Sequence, residues 1–285
     1  MSSLWWTQLQ RGSFDVSYCV IDVPPLRVAS RSYNLAFAAR ATIESGKTLV
    51  ATVSRHDTPA RWFGGELDRD TLAVGRTEID VRTNGPSAFF AVTIDEAALQ
   101  KQYPHSPDAA ALLSNLAASG LARNRPGVRR LRAGLAAVFN GEVNARLGVS
   151  GSLIPLLAEA LDRFDARAVE RSKCLNRRFT AVRQCELYMR EHIDSTVTLL
   201  DLSEASGMRS RSLINAFEAV TGLSPMDYLK RLRLNGVHRA LSGARKAQTR
   251  VIDIATAWGF WHMGHFATDY RAMFGESPSR TLLGV

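Results

Sequence analysis

The chain has 285 residues, 46% hydrophobic and 22% charged; that balance suits a globular protein and is long enough for one large domain or two ordinary ones. No apolar run reaches the roughly 20 residues of a membrane span, and the start Met1-Ser2-Ser3-Leu4-Trp5-Trp6 lacks the basic and apolar regions of a signal peptide, so a cytoplasmic protein is expected. Three cysteines, Cys19, Cys174 and Cys185, are too few and too scattered for a disulfide framework or a zinc cage.

The net charge of +9 is unevenly spread: residues 1–170 carry 19 Lys+Arg against 17 Asp+Glu, and residues 171–285 carry 17 against 10. A basic C-terminal third fits a phosphate-binding surface; solvated helix faces would give the same count.

In chain order, residues 14 to about 94 read as short strands. Alternation shows in Phe14-Val16-Tyr18-Val20, in Leu35-Phe37-Ala39 and in Ile79-Val81. Turn signals at Pro24-Pro25, Ser45-Gly46, Gly64-Gly65 and Asn84-Gly85-Pro86 separate them. Many short strands punctuated by Gly and Pro predict a small barrel or double-sheet β domain. From Asp95 the period turns helical: around 97–99, over 109–118, and over 128–147 with Leu131, Leu135, Val138 and Phe139 on one stripe. The run Gly148-Val149-Ser150-Gly151-Ser152 breaks the pattern before a last helix at 153–164. Residues 165–178, charged and poor in large apolar side chains, read as a linker. The expected organisation is a β-rich domain with helices over 1–164, a linker over 165–178, and an all-α domain over 179–285, an α+β chain overall. The stripes at 128–147 and 153–164 suit a homodimer contact or packing on the β domain.

The last third repeats itself. Leu202-Ser203-Glu204-Ala205-Ser206-Gly207 returns 52 residues later as Ile254-Ala255-Thr256-Ala257-Trp258-Gly259, and Gly222-Leu223-Ser224-Pro225 returns as Gly275-Glu276-Ser277-Pro278. Seven helices are expected: 179–192, 199–205, 211–221, 225–241, 250–257, 262–274 and a short one from 278. A short helix, a Gly turn, a second helix and a Ser-Pro start, given twice, predict two helix-turn-helix units. In such a unit the first helix crosses the DNA backbone and the second enters the major groove. Leu213 and Phe217, then Phe266 and Tyr270, are the inward residues of the second helices.

That leaves Arg209, Ser210, Arg211, Ser212, Ile214 and Asn215 as the candidate DNA-binding set of the first unit. Arg takes guanine O6 and N7, Asn takes adenine N6 and N7, and Ile covers a thymine methyl, so Arg211, Ile214 and Asn215 are the expected base readers, with Arg209 and Ser210 nearer phosphate. The second unit offers Trp261, His262, Met263, Gly264, Ala267, Thr268 and Arg271. It is poor in bidentate readers, so phosphate contact through Arg271 and apolar or shape readout through Met263 and Ala267 are expected there. The helix at 225–241, 17 residues and about 25 Å long, can hold two recognition helices about one DNA turn apart. Its Lys230, Arg231 and Arg233 suit either backbone contacts or a solvated face.

Asp253-Ile254-Ala255, Gly259-Phe260, His265-Phe266, Tyr270-Arg271, Phe274-Gly275-Glu276 and Ser277-Pro278-Ser279 resemble the C-terminal signature of the AraC/XylS family of bacterial transcription regulators, over about residues 179–283. The resemblance implies double-stranded DNA as partner, RNA polymerase as the target of activation, and a cupin-like N-terminal barrel that senses a small-molecule effector or dimerises. Members usually carry more polar residues on the second recognition helix than this chain does. The alternative is an enzymatic or effector-modifying N-terminal domain that AraC-like helices bring to DNA; repair proteins of that kind need reactive cysteines, and only Cys19 lies in that half. A scaffold for other polyanions is a third reading, and it would show salt dependence without sequence preference.

Other motifs point to chemistry more weakly. Ala41-Thr42-Ile43-Glu44-Ser45-Gly46-Lys47-Thr48 fits a relaxed phosphate loop, but a strand-like Leu49-Val50-Ala51-Thr52-Val53 follows where a helix is needed; a hairpin turn is the better account. His262 and His265 lie one helix turn apart without a third ligand, with His265 expected to pack or cap, and His56-Asp57 lacks further ligands; no metal or other cofactor is expected. Cys174 and Cys185 read as a linker and a core residue rather than a redox pair. Trp5, Trp6, Trp62 and Phe63 read as core before pocket, and Arg129, Arg130 and Arg132 as a solvated face. No nucleophile-base constellation stands out, so a non-enzymatic protein is expected.

Overall fold

A computed structural model describes residues 4–54, 60–116, 119–123, 125–141, 149–162, 173–244 and 249–284. The chain forms two compact units: one of residues 1–6 and 15–173, the other of residues 7–14 and 174–285.

In the N-terminal unit, alternating sequences fold into two antiparallel sheets. One takes β1 (Leu4–Gln8), β4 (Phe37–Thr42), β9 (Glu78–Thr83), β6 (Ala60–Trp62) and β7 (Gly65–Leu67), in the order β1-β4-β9-β6-β7. The other takes β11 (Gly120–Arg123), β8 (Thr71–Gly75), β5 (Lys47–Val53), β10 (Ser87–Asp95), β3 (Leu26–Tyr33) and β2 (Val16–Val23), in that order. Period-two alternation sorts the faces of β10. Phe90, Val92 and Ile94 face a helical layer, while Phe89 meets Phe37 of the opposite sheet at 6.4 Å and Tyr33 at 6.2 Å. The rings tie the sheets together as in a sandwich. Phe63 (φ 46°) and Gly64 (φ 81°) form the two-residue connection of the β6–β7 hairpin, both with the positive φ such tight turns demand.

The helical layer is α1 (Glu96–Gln102), α2 (Pro107–Asn115), α3 (Arg125–Phe139) and α4 (Val149–Ala160). Leu131 and Leu135 of α3 and Leu153 and Leu157 of α4 are buried against Leu26, Val50, Leu72 and Val92 of the larger sheet. The stripes that suited a dimer contact are therefore used within the unit. Residues 149–152 lie inside α4 and do not break it, because Val149 is a buried core residue despite the small polar neighbours. The predicted hairpin at Ser45-Gly46 is a turn, but a sheet-switching one: β4 pairs with β9, while β5 pairs with β10 and β8. Gly46 has φ +78° there, and the strand that follows rules out a phosphate loop.

The second unit holds α5 (Lys173–Glu191), α6 (Leu199–Ser206), α7 (Ser210–Thr221), α8 (Pro225–Ser242), α9 (Val251–Ala257), α10 (Met263–Phe274) and α11 (Pro278–Leu283). Helix α5 starts within the stretch read as linker. A segment from the far end of the chain also belongs to this unit. Gln8 exchanges two hydrogen bonds with the Asn235 side chain on α8, its N–H donating at 3.0 Å and its C=O accepting at 3.2 Å. The Gly12 N–H donates to the Met273 carbonyl at 2.9 Å, one of the last-turn carbonyls that helix α10 cannot satisfy itself. Nothing in the sequence of residues 7–14 announces this role.

Candidate nucleic-acid interface

The duplication seen in the sequence is a duplication of caps. Gly207, Gly222, Gly259 and Gly275 have φ of 64°, 72°, 77° and 77°, the left-handed conformation that ends helices and that side chains resist. Ser224 and Ser277 cap α8 and α11, each accepting from a backbone N–H three residues on, with proline at the first helical position. Leu213 and Phe217 are fully buried in α7, and Phe266 and Tyr270 at 2% and 0% in α10. Phe217 packs edge-on against Tyr228 of α8 at 5.7 Å, and Phe266 against Tyr270 at 5.6 Å.

With that face buried, the opposite face of α7 is what solvent sees. Arg209, Arg211, Ser212 and Asn215 are exposed and Ile214 is half-buried. Arg211 and Asn215, four residues apart, share a face. Ser210 is half-buried and its hydroxyl meets that of Ser203 at 3.0 Å, which ties the two helices of the first unit together. Arg209 precedes the helix without a side-chain capping bond.

On α10 the exposed residues are Trp261 (66%) just before the helix, then His262, Gly264, His265, Ala267, Thr268 and Arg271. Met263 is half-buried and packs against the core of the second repeat. The Thr268 hydroxyl donates back to the Gly264 carbonyl at 3.0 Å. His265 is exposed rather than packed, three residues before Thr268, and is the outward polar residue that the sequence reading passed over. Its position one turn after Trp261 was the signal. Its ring lies 6.5 Å from that of His262, and no group of three potential metal ligands exists among the described residues. His56-Asp57 lies outside them.

The linker helix α8 uses its cations internally. Lys230 pairs with Asp269 at 3.2 Å, Arg231 reaches the Met273 sulfur at 3.4 Å, and Arg233 donates to the carbonyls of Ile193 and Ser195. Burial lowers the pKa of both arginines. They tie α8 to α10 and to the loop that precedes α6. At Gly236 the helix lies so close to Trp258 that an added Cβ would sit 2.1 Å from the ring.

An open cleft of about 930 Å³ in the second unit is lined by Asp194, Arg250, Asp253, Ile252 and Trp261 among others. Cys185 is fully buried, its thiol pushed up to about 11 chiefly by desolvation, which leaves it protonated and unreactive. In the N-terminal unit Trp62 is core at 3% exposure while Trp5 is 46% exposed. Arg130 pairs with Glu159 and Arg132 donates to the Arg69 carbonyl. No helix among the described residues is long and apolar enough to cross a membrane.

Residues 202–283 match the family described as a helix-turn-helix domain. The chain is 37% identical over 95 residues to the XylDLEGF operon transcriptional activator 2 of Pseudomonas putida, covering 33% of this chain and 60% of that one. It is 36% identical over 98 residues to the probable thc operon regulatory protein of Rhodococcus erythropolis, covering 34% and 30%. Among solved structures, a probable AraC family transcriptional regulator from Rhodopseudomonas palustris CGA009 is 44% identical, with 36% of this chain and 95% of that one covered and a TM-score of 0.34. The chain thus spans 60% or less of these curated relatives, and the family match lies in its C-terminal third. Through residues 202–283 the chain carries this family's helix-turn-helix domain, and there it is similar to operon transcriptional activators.

Proposed function

We propose that the whole protein is a cytoplasmic, sequence-specific transcription regulator, and an activator, that reads two successive major grooves of double-stranded DNA. One observation carries the reading: two helix-turn-helix units with matching glycine turns and Ser-Pro helix starts are joined by one 18-residue helix, which at 1.5 Å per residue is about 27 Å long. Relatives that share the domain are named operon activators. Arg211, Ile214 and Asn215 of α7 read bases, and Arg209 and Ser212 hold phosphate. On α10, His262, His265, Ala267 and Thr268 line the groove, Trp261 adds stacking or apolar contact at its entrance, and Arg271 meets the backbone. RNA polymerase is the partner of activation. The N-terminal unit answers a small-molecule effector or joins two copies of the chain.

Site selection tests this. Purified protein is incubated with sheared source DNA at two salt concentrations and the retained fragments are sequenced. A shared motif with two half-sites about one helical turn apart is expected. Retention without a motif, falling steeply with salt, would overturn sequence-specific regulation and leave a general polyanion binder.

A further inference from the structure

Among the described residues of the N-terminal unit, the large hydrophobic residues exposed to solvent are Val16, Tyr18 and Val20 on β2, at 42%, 75% and 42%, and Trp5. Strand alternation puts Val16, Tyr18 and Val20 on one face, while Ile21 and Val23, on the other, pack toward the helical layer. β2 is the last strand of its sheet. It pairs with β3 without interruption, Val16 opposite Tyr33 through Val23 opposite Leu26, so no bulge twists it away.

Edge strands that must stay unpaired are guarded by lysine, proline, a bulge or inward charge. Residues 16–23 contain no Lys, Arg or Pro, and their one charge, Asp22, is held by Arg27 of the same chain at 2.5 Å. We propose that β2 pairs antiparallel with β2 of a second copy of this chain, in a register centred on Cys19, to form a twelve-stranded continuous sheet across a two-fold axis.

Two of the facing pairs in that register are complementary, while Asp22 falls opposite Val16. Tyr18 faces Val20 of the copy, and Val20 faces its Tyr18, the aromatic and β-branched pairing that stabilises neighbouring strands. The two Asp22 carboxylates fall about 20 Å apart, six residues at ~3.4 Å each, so no like charges meet. The stripes of α3 and α4 are already buried within the unit, so among the described residues this edge is the apolar surface a second copy can use. Eight-residue strands cover less than the ~800 Å² per partner of a standard interface, so the dimer dissociates readily on dilution. The proposal gives a surface to the self-association named above and rests on that reading of the N-terminal unit.

Cys19 is exposed and unbridged, and the register puts it opposite its own copy at the ~4.5–5.5 Å Cα separation of facing strand residues, within disulfide reach. The full chain is treated with diamide, which takes up the two thiol hydrogens as the S–S bond forms. A covalent dimer that disappears in Cys19→Ser is expected. The register is checked with Ser17→Cys/Cys19→Ser and Ile21→Cys/Cys19→Ser chains, which should cross-link to each other when mixed and not to themselves. Sedimentation over roughly 1–100 µM, where so small an interface dissociates, should show a dimer. Tyr18→Lys, an exposed change, should weaken it about tenfold or more. A monomer throughout that range, a dimer as strong in Tyr18→Lys, or a cross-link that persists in Cys19→Ser overturns the proposal. Fragment retention by the same preparations is measured in parallel: a shared motif with no dimer rejects this surface alone, whereas loss of the motif rejects the regulator reading.

Discussion

In the first helix-turn-helix repeat the start of α6 is closed by a reciprocal box, Thr198 accepting from the Asp201 N–H at 3.3 Å and Asp201 accepting from the Thr198 N–H at 2.7 Å. In the second, α9 starts at Arg250 without a side-chain cap. What the second repeat lacks in local caps it gains in long-range ones. Trp258 lies against Gly236 of the linker helix, Gly12 caps the end of α10, and a chain of hydrogen bonds crosses its core. The exposed faces divide the other way, with two arginines and an asparagine on α7 against two histidines, small residues and one arginine on α10. The first repeat exposes the groups suited to reading bases, whereas the second is braced by residues far away in the sequence.

The largest effects should fall where the repeats are alike. Phe217→Ala and Phe266→Ala each empty a fully enclosed core site and should cost about 3–5 kcal/mol in denaturant unfolding. A loss below about 1 kcal/mol for either would show that the repeats are not packed equivalently. Next come changes that touch the second repeat alone. Asn235→Ala leaves the Gln8 N–H and C=O buried without that partner and should cost about 1–3 kcal/mol, with faster amide exchange at Gly12. Unchanged exchange there would mean that residues 7–14 do not brace α10.

A smaller difference should separate the two recognition faces. Arg211→Ala should lose about 1–3 kcal/mol on the selected site and relax specificity at one base pair. His265→Ala should lose less than about 1 kcal/mol, spread evenly over sequences. Titration of both variants on selected and scrambled DNA decides the matter. If His265→Ala loses specificity and Arg211→Ala does not, the roles of the repeats are reversed.

How much of this was legible in the sequence follows from the range of the interactions. The caps and inward rings of both repeats are set by residues within four positions of each other, so Gly207, Ser224, Phe217 and Tyr270 announced themselves. The double sheet was legible from alternation and turns. Which strands pair was not, since Ser45-Gly46 looks the same in a hairpin and in a turn between sheets. Gln8 and Asn235 are 227 residues apart, and no local pattern encodes such a contact. In sequence the cations of α8 suit DNA and a solvated face equally well; in the fold Asp269, Ile193 and Ser195 engage two of them. The family resemblance implies a packing or capping position for His265, whereas its spacing from Thr268 and Arg271 places it on the exposed face.

The subtlest contrast between the repeats should appear with pH. Thr281 donates to Glu276, and Tyr270 donates to Thr281 at 2.8 Å, so the 2.8 Å contact between Tyr270 and His238 Nδ1 requires the nitrogen to carry the proton. His238 is stacked 4.4 Å from Phe274, and desolvation lowers its pKa against the opposing pull of Glu276. A histidine with a lowered folded pKa is protonated first in the unfolded chain. Its contribution is complete above the ordinary value of about 6.5 and is lost as pH falls from there toward the folded value. In the first repeat Asp201 is held low by its bonds from the Thr198 N–H and hydroxyl, and a lowered carboxylate loses its contribution only as pH falls below about 4. Between pH 7 and 5 the second repeat should therefore loosen while the first stays closed, read by amide exchange at Tyr270 and at Phe217. His238→Asn keeps an N–H for Tyr270 but cannot titrate, so it should flatten the response at Tyr270. Equal loosening of both repeats, or a response unchanged in His238→Asn, would place the acid sensitivity elsewhere in the unit.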